Sequence, residues 1–344
     1  MREELTRFIR IAYAALYFNI PRYQPTLLEA NRHLMYMEET QVFSYRNDSF
    51  AHVARWRPDD CDEDCAVIAY VFPGAFIQGS EYDIMPMMQR VLTRHKTELW
   101  SVAYRTLDAG STYDDMVQDV RDGLRFVRKK TVGRTFLAGG ASAGGVLLQD
   151  ALAGLSDLNV SGVILDSTVA CMPEATWFPD VLRYRIASSA SAGCYREPVA
   201  PTFVVHSEKD TVAPPDSMHE LQRRYGTTDP GVEVCFADDG EHVTAMTSAC
   251  MQRLDEWLFE RNVEKKNRNA ISRMNDELYR QTVMSVGNFN RLSAQTLPQS
   301  VFGAFFGLCD TVSHPERIFH NCDSEDGVIS SLPFEKEGVG FPGV

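Results

Sequence analysis

The 344-residue sequence has no apolar run close to the roughly 20 residues that a membrane-spanning helix needs, so no membrane span is expected. It also lacks a net positive charge, since acidic residues outnumber basic ones and the net charge is −13. Such a chain is repelled by nucleic acids and by anionic membrane surfaces, and neither is expected as a partner. Internal repeats and low-complexity tracts are absent as well, which argues against a repeat architecture.

The N-terminus lacks the features of a signal peptide. Glu3 and Glu4 stand where such a peptide carries positive charge, and no small-residue cleavage site follows. The segment instead predicts an amphipathic helix whose apolar face would hold Leu5, Phe8, Ile9, Ala12 and Leu16.

Cysteine is present but forms no dense framework, because the eight cysteines are scattered along the chain. Cys235 lies in an apolar strand-like run and Cys250 in a helix-like one, so both are predicted to be buried free thiols. This pattern favours a cytoplasmic location. The C-terminal set does not match a zinc spacing, so no metal is expected; its members are Cys309, His314, His320 and Cys322. The serine chemistry considered below requires no cofactor.

Short apolar runs alternate with segments of helical periodicity along most of the chain. A hairpin is predicted from two alternating segments, 41–45 and 50–56, and further strands at 66–72, 99–104, 135–138, 160–165, 202–205 and 232–237. Helices are predicted at 4–18, 26–38, 85–95, 112–129, 146–155, 216–225 and 244–261. The alternation predicts an α/β fold with a mostly parallel central sheet and helices on both faces.

The segment Gly140-Ala-Ser142-Ala-Gly144 stands between one of these strands and the helix that follows it. Strand, G-x-S-x-G and helix together are typical of a nucleophile elbow, in which a tight turn exposes the serine hydroxyl. The glycines Gly140 and Gly144 suit positions where a side chain would not fit. Ser142 is therefore the predicted nucleophile.

A serine needs a base to take its proton and an acid to orient that base. Downstream of Ser142, Asp210 follows one predicted strand and His242 follows the next. The order nucleophile, acid, histidine is the one that this kind of elbow uses. Asp166 remains an alternative acid, because it also ends a strand. Other acids and histidines are assigned structural or solvated positions; they are Asp238, Asp239, Glu208, Glu241, His52, His95, His206 and His219.

The motifs FPGAF, GASAG, SEKD and GEH together resemble the α/β-hydrolase superfamily, and most closely the hormone-sensitive-lipase-like serine esterases. The resemblance covers about residues 40–262. It implies an α/β-hydrolase core at 41–262, an N-terminal helical cap at 1–40 and a C-terminal extension at 263–344. It also implies a serine hydrolase that cleaves a small-molecule ester through Ser142, His242 and Asp210.

The same resemblance implies an oxyanion hole formed by the backbone N–H groups of Gly74, Ala75 and Ala143. The family carries H-G-G-G-F at this place, whereas this chain has Phe72 for the histidine and Pro73 for the first glycine. Proline has no N–H to donate, although the two following positions keep theirs. This departure and the extension motivate the alternative of an inactive binding or structural module. The extension is then a candidate surface for a protein partner or for self-association.

Overall fold

The computed structural model describes residues 39–264, apart from 49, 59–60, 77–78, 82, 107–110, 156, 175–193, 211, 239–241 and 244–246. The predicted N-terminal cap and its two helices lie almost wholly outside these residues, as do the C-terminal extension and its cysteines and histidines. Their predictions therefore stay predictions.

An eight-stranded sheet forms the centre of the molecule, with the strand order β1-β2-β4-β3-β5-β6-β7-β8. The first two strands pair antiparallel, β2 is antiparallel to β4, and every later pairing is parallel. The strands are β1 Glu39–Ser44, β2 His52–Arg57, β3 Ala66–Val71, β4 Thr97–Val102, β5 Phe136–Ala141, β6 Gly162–Asp166, β7 Thr202–Ser207 and β8 Val232–Ala237. The predicted α/β class with a mostly parallel sheet is confirmed.

Five α-helices lie among the described residues, four of them between strands and the last after β8: α1 Pro86–Arg94, α2 Tyr113–Lys130, α3 Ala143–Leu152, α4 Asp216–Tyr225 and α5 Ser248–Phe259. Several predicted bounds shift by two or three residues. Strand β4 begins at Thr97 instead of residue 99, β5 ends at Ala141 instead of residue 138, and α3 begins at Ala143 instead of residue 146. The glycines at the start of α3 gave no apolar periodicity, so the sequence pattern placed its first turn in the loop.

The central strands are buried on both faces because helices cover both sides of the sheet. Every residue of β3, β4, β5, β6 and β7 is buried. Helix α2 shows how local sequence fixes an element. Thr112 caps it through a reciprocal bond with Asp115, and its inward face is fully buried at Met116, Val120, Leu124 and Val127. This capping box and this buried face are both confirmed.

Three disulfides link the described cysteines. They join Cys61 to Cys65, Cys171 to Cys194, and Cys235 to Cys250. The prediction that Cys235 and Cys250 are free thiols is wrong, because β8 and α5 bring the two side chains together. Disulfides persist in oxidising compartments, so these pairs do not favour the cytoplasmic location that the scattered spacing suggested.

No helix in the part of the chain that the structure describes is both long and apolar enough to cross a bilayer.

Candidate active site

Ser142 occupies the sharp turn between β5 and α3. Its backbone has a φ of 49° and a ψ of −124°, which is strained for a residue with a side chain. The turn is possible because the chain passes very close to itself on both sides. A Cβ at Gly140 would lie 2.9 Å from the carbonyl oxygen of Gly144, and a Cβ at Gly144 would lie 2.3 Å from that of Phe72. Both predicted elbow glycines are therefore required by the packing.

Residues after β6 brace the turn from the other side, and sequence reasoning missed them. The Thr168 hydroxyl donates to the carbonyl oxygen of Ser142 at 2.9 Å. A Cβ at Gly145 would lie only 2.5 Å from the Thr168 Oγ1, so this position needs a glycine as well. A second glycine directly after the G-x-S-x-G motif was the available signal in the sequence.

The structure brings together the three side chains that the sequence singled out. The Ser142 Oγ lies 3.0 Å from His242 Nε2, and His242 Nδ1 lies 2.8 Å from Asp210 Oδ2. The second oxygen of Asp210 accepts backbone N–H bonds from Val212 and Ala213 at 2.9 and 2.7 Å. A proton on Nδ1 of the imidazole is thus held by the carboxylate, which leaves Nε2 as an acceptor for the serine hydroxyl.

The electrostatics of this group suit proton transfer. Burial lowers the pKa of His242, but the charge and hydrogen bond of Asp210 raise it more, so its pKa lies above the usual 6.5. Burial likewise raises the pKa of Asp210, yet the attraction of His242 lowers it below its usual value of 3.8. Both shifts favour the ion pair of an imidazolium and a carboxylate.

The predicted oxyanion loop follows β3 and has an unusual backbone. Gly74, Ala75 and Phe76 have φ values of 138°, 52° and 67°. Two of these residues carry side chains in a region of φ that favours glycine, so the neighbouring structure must hold the loop in place. Ala143, the third predicted donor, is the first residue of α3, where backbone N–H groups have no partner within the helix.

Phe72, which stands at the histidine position of the family motif, supports this loop by packing. Its ring stacks on Tyr104 at a centroid distance of 4.2 Å, and its carbonyl oxygen accepts the Tyr104 hydroxyl at 3.0 Å. Gly79 lies against the same ring, because a Cβ there would approach it to 2.8 Å. An aromatic side chain thus fills this place in the loop.

The alternative histidines lie in other environments. His95 is fully buried and contacts Asp255 at 3.0 Å, in a cluster with Arg90. The other three contact Glu81, the carbonyl oxygen of Ala213, and Glu208; they are His52, His206 and His219. Of these, His206 approaches the site, since its Nε2 lies 3.7 Å from Asp210 Oδ2.

Among the alternative acids, Glu208 and Asp238 are exposed, while Asp239 and Glu241 lie outside the described residues. Asp166 is different, because it is 2% exposed and interacts electrostatically with both His242 and Asp210. Burial raises its pKa to about 7, although a hydrogen bond from Ser167 and the charge of His242 oppose the rise. The sequence marked Asp166 as a strand end but gave no sign of Ser167.

Neither the comparison with protein-family models nor the comparison with curated proteins finds a match.

The comparison with solved structures finds matches among esterases. The chain is similar to esterase 2 of the Planctomycetes species Thermogutta terrifontis in its propionate-bound form, with 19% identity and a TM-score of 0.53. The alignment covers 65% of this chain and 95% of that one. The same esterase phosphonylated by sarin gives 18% identity, a TM-score of 0.54 and the same coverage.

A hormone-sensitive lipase from a metagenome library is also similar, with 16% identity and a TM-score of 0.54. This alignment covers 68% of this chain and 91% of that one. The chain therefore has the α/β-hydrolase fold, and its structure resembles those of hormone-sensitive-lipase-like esterases.

Proposed function

We propose that this chain with the α/β-hydrolase fold is a serine carboxylesterase that cleaves esters of small or medium acyl groups. The single observation that carries the proposal is the chain of contacts from the Ser142 Oγ to His242 and on to Asp210. A strained turn presents the hydroxyl, a base lies within hydrogen-bond distance, and a buried carboxylate orients that base.

In the proposed reaction, His242 takes the proton of Ser142 as the hydroxyl oxygen attacks the ester carbonyl. Asp210 holds the imidazole tautomer and stabilises the imidazolium that forms. His242 then gives the proton to the leaving alcohol, which departs and leaves an acyl group on Ser142. Water, deprotonated by His242, attacks this acyl group, and His242 returns the proton to the Ser142 oxygen as the carboxylic acid leaves.

We assign the oxyanion hole to the backbone N–H groups of Gly74, Ala75 and Ala143. Such donors matter because negative charge develops on the carbonyl oxygen only in the transition state, and losing one donor costs about 10²–10³ in rate. The left-handed backbone of the loop and the first turn of α3 support this assignment. Pro73 has no N–H, so the donors begin at the next residue.

The similar structures support a short acyl group. Structures of the Thermogutta esterase were obtained with propionate and with butyrate bound. These two structures align with this chain at 19% and 20% identity, and the acyl preference is a proposal that the following experiment tests.

A panel of p-nitrophenyl acetate, butyrate, octanoate and palmitate tests the proposed activity. We expect hydrolysis that is fastest with the shorter esters. We expect Ser142→Ala to lower kcat by about 10⁴-fold or more, because the residue is the nucleophile and cannot be replaced by water at the same position. Circular dichroism of the variant shows that the fold is kept. Hydrolysis that is unchanged in Ser142→Ala would contradict the proposal.

A second candidate is an inactive binding or structural module with the same fold. Phe72 and Pro73 favour it, because they replace two positions of the family's oxyanion motif. A folded wild-type protein that hydrolyses none of the four esters would support this second function.

A further inference from the structure

Residues at and just after the end of β6 contact both the turn that carries Ser142 and the segment that carries His242. The backbone N–H of Ser142 donates to the carbonyl oxygen of Asp166 at 2.9 Å, and the Thr168 hydroxyl donates to the carbonyl oxygen of Ser142 at 2.9 Å. Ser167 lies between Asp166 and Thr168 in the sequence. Its Oγ accepts the backbone N–H of Val243 at 2.8 Å.

Val243 is the residue after His242, and its backbone needs support. Its φ is 54°, which is rare for a β-branched residue because the side chain crowds the backbone there. Such a conformation persists only where the surroundings hold it. The bond from its N–H to Ser167 is buried, since Val243 is 2% exposed and Ser167 is fully buried.

The Ser167 hydroxyl is itself oriented. It donates its single proton to Asp166 Oδ1 at 3.0 Å, which leaves its lone pairs directed toward Val243. Ser167 has a φ of 46° and donates its own N–H to the carbonyl oxygen of Val205 in β7. The hydroxyl therefore has one buried donor and one buried acceptor as neighbours, and both of its roles are in use.

From these contacts we propose that Ser167 and Asp166 are positioning residues for the base of the proposed esterase. Asp166 orients the Ser167 hydroxyl, Ser167 holds the Val243 N–H, and this bond fixes the ring of His242 between Ser142 and Asp210. The proposal rests on the function proposed above. It adds a second anchor for the histidine, independent of the carboxylate that binds its ring.

The first test is Ser167→Ala. We expect kcat to fall about 10-fold or more with little change in KM, because a small displacement of a catalytic group costs rate and leaves substrate binding alone. Ser101→Ala is the matched control, since Ser101 is a fully buried serine in β4 whose hydroxyl has no partner among the described residues. We expect this control to keep the wild-type kcat.

A double-mutant cycle separates positioning from general damage. If Ser167 acts through His242, then Ser167→Ala has no further effect in a His242→Ala background. An equal loss of activity in both backgrounds would overturn the proposal, because the residue would then act by some other route.

Asp166 is tested by a pair of variants. Asp166→Asn keeps an oxygen that can accept the Ser167 hydroxyl, and we expect activity within about twofold of wild type. Asp166→Ala removes that oxygen, and we expect it to lose activity as Ser167→Ala does. Equal activity in the two Asp166 variants would contradict the role of the carboxyl oxygen.

A spectroscopic readout keeps this inference distinct from the proposed function. The proton on His242 Nδ1, bonded to Asp210, is expected as a downfield signal in the NMR spectrum of the wild-type protein. We expect the signal to broaden or vanish in Ser167→Ala and to remain in Ser101→Ala, whether or not an ester is hydrolysed. A signal unchanged in Ser167→Ala would overturn the inference, whereas an inactive wild type with the expected shift would overturn only the function.

Discussion

At the scale of single residues, the site depends on how strongly one carboxylate controls one imidazole. Asp210 is 3% exposed and His242 is 7% exposed, so water screens their attraction poorly. Burial by itself would lower the pKa of His242, and Asp210 is the first of the groups that raise it above 6.5. The proposed base is neutral only above that pKa, so the rate should rise with pH through it.

We therefore predict that log kcat/KM for p-nitrophenyl acetate rises with pH to a plateau, with a midpoint above 6.5. Asp210→Asn removes the charge while burial remains, so the pKa of His242 falls and the midpoint moves to lower pH. The plateau itself should fall by about 10⁴-fold, since the imidazole loses its orienting partner. A midpoint that does not move in Asp210→Asn would show that the observed titration belongs to another group.

Part of this detail could be predicted from the sequence. Ser142, Asp210 and His242 each follow a predicted strand, and the carboxyl ends of parallel strands meet at one edge of a sheet. The contacts of Thr168 and Ser167 could not be predicted, because they join the end of β6 to Ser142 and to Val243, which are distant from it in sequence.

At the scale of elements, the turn that carries Ser142 depends on the contact between the start of α3 and the end of β3. Strands β3 and β5 pair in parallel, so the oxyanion loop and the elbow emerge side by side. Their backbones touch at Gly144, where a Cβ would lie 2.3 Å from the carbonyl oxygens of both Val71 and Phe72. Backbone atoms in a paired strand cannot easily move aside.

We predict that Gly144→Ala separates these two elements. The added methyl group should lower the free energy of unfolding by about 1–3 kcal/mol and lower kcat/KM by more than about 10-fold. Gly139→Ala is the control, since Gly139 is a buried glycine in the preceding strand, β5. Its closest new contact is the terminal methyl of Met88, a flexible side chain that can turn away. Urea unfolding and ester hydrolysis check both variants, and equal behaviour of the two would contradict the account.

The types of secondary-structure element could be predicted from the sequence, but the order of the strands in the sheet could not. Alternating apolar runs and helical periodicity predict a parallel sheet, yet the crossing that places β4 between β2 and β3 follows from pairings between distant segments. The start of α3 was missed for a local reason, because Gly144 and Gly145 carry no apolar side chain to reveal the helical period.

At the scale of the whole molecule, disulfides add covalent links to a fold that already has a large core. The Cys235–Cys250 bond joins the last described strand to the last described helix, and the segment that it encloses carries His242. Its sequence separation is 15 residues, whereas that of Cys61 and Cys65 is 4. The sequence could not predict the pairing, because cysteine spacing alone does not tell which strand and helix will be neighbours.

We predict that replacing both Cys235 and Cys250 by serine lowers the free energy of unfolding by about 3 kcal/mol, since the bond restricts the unfolded chain. The Cys61–Cys65 bond closes a shorter loop, so replacing both of these cysteines by serine should lower the free energy of unfolding by only about 2 kcal/mol. Urea unfolding without reductant measures both. The account of these links is wrong if dithiothreitol leaves the unfolding of the wild-type protein unchanged.

The central claim is that Ser142 is an activated nucleophile, and covalent labelling tests it most directly. The folded protein is treated with a fluorophosphonate probe, and its intact mass and digested peptides are measured. We predict a single adduct on the peptide that contains Ser142, and none in Ser142→Ala. A folded wild-type protein that gains no adduct, or an adduct that persists in Ser142→Ala, would contradict the claim.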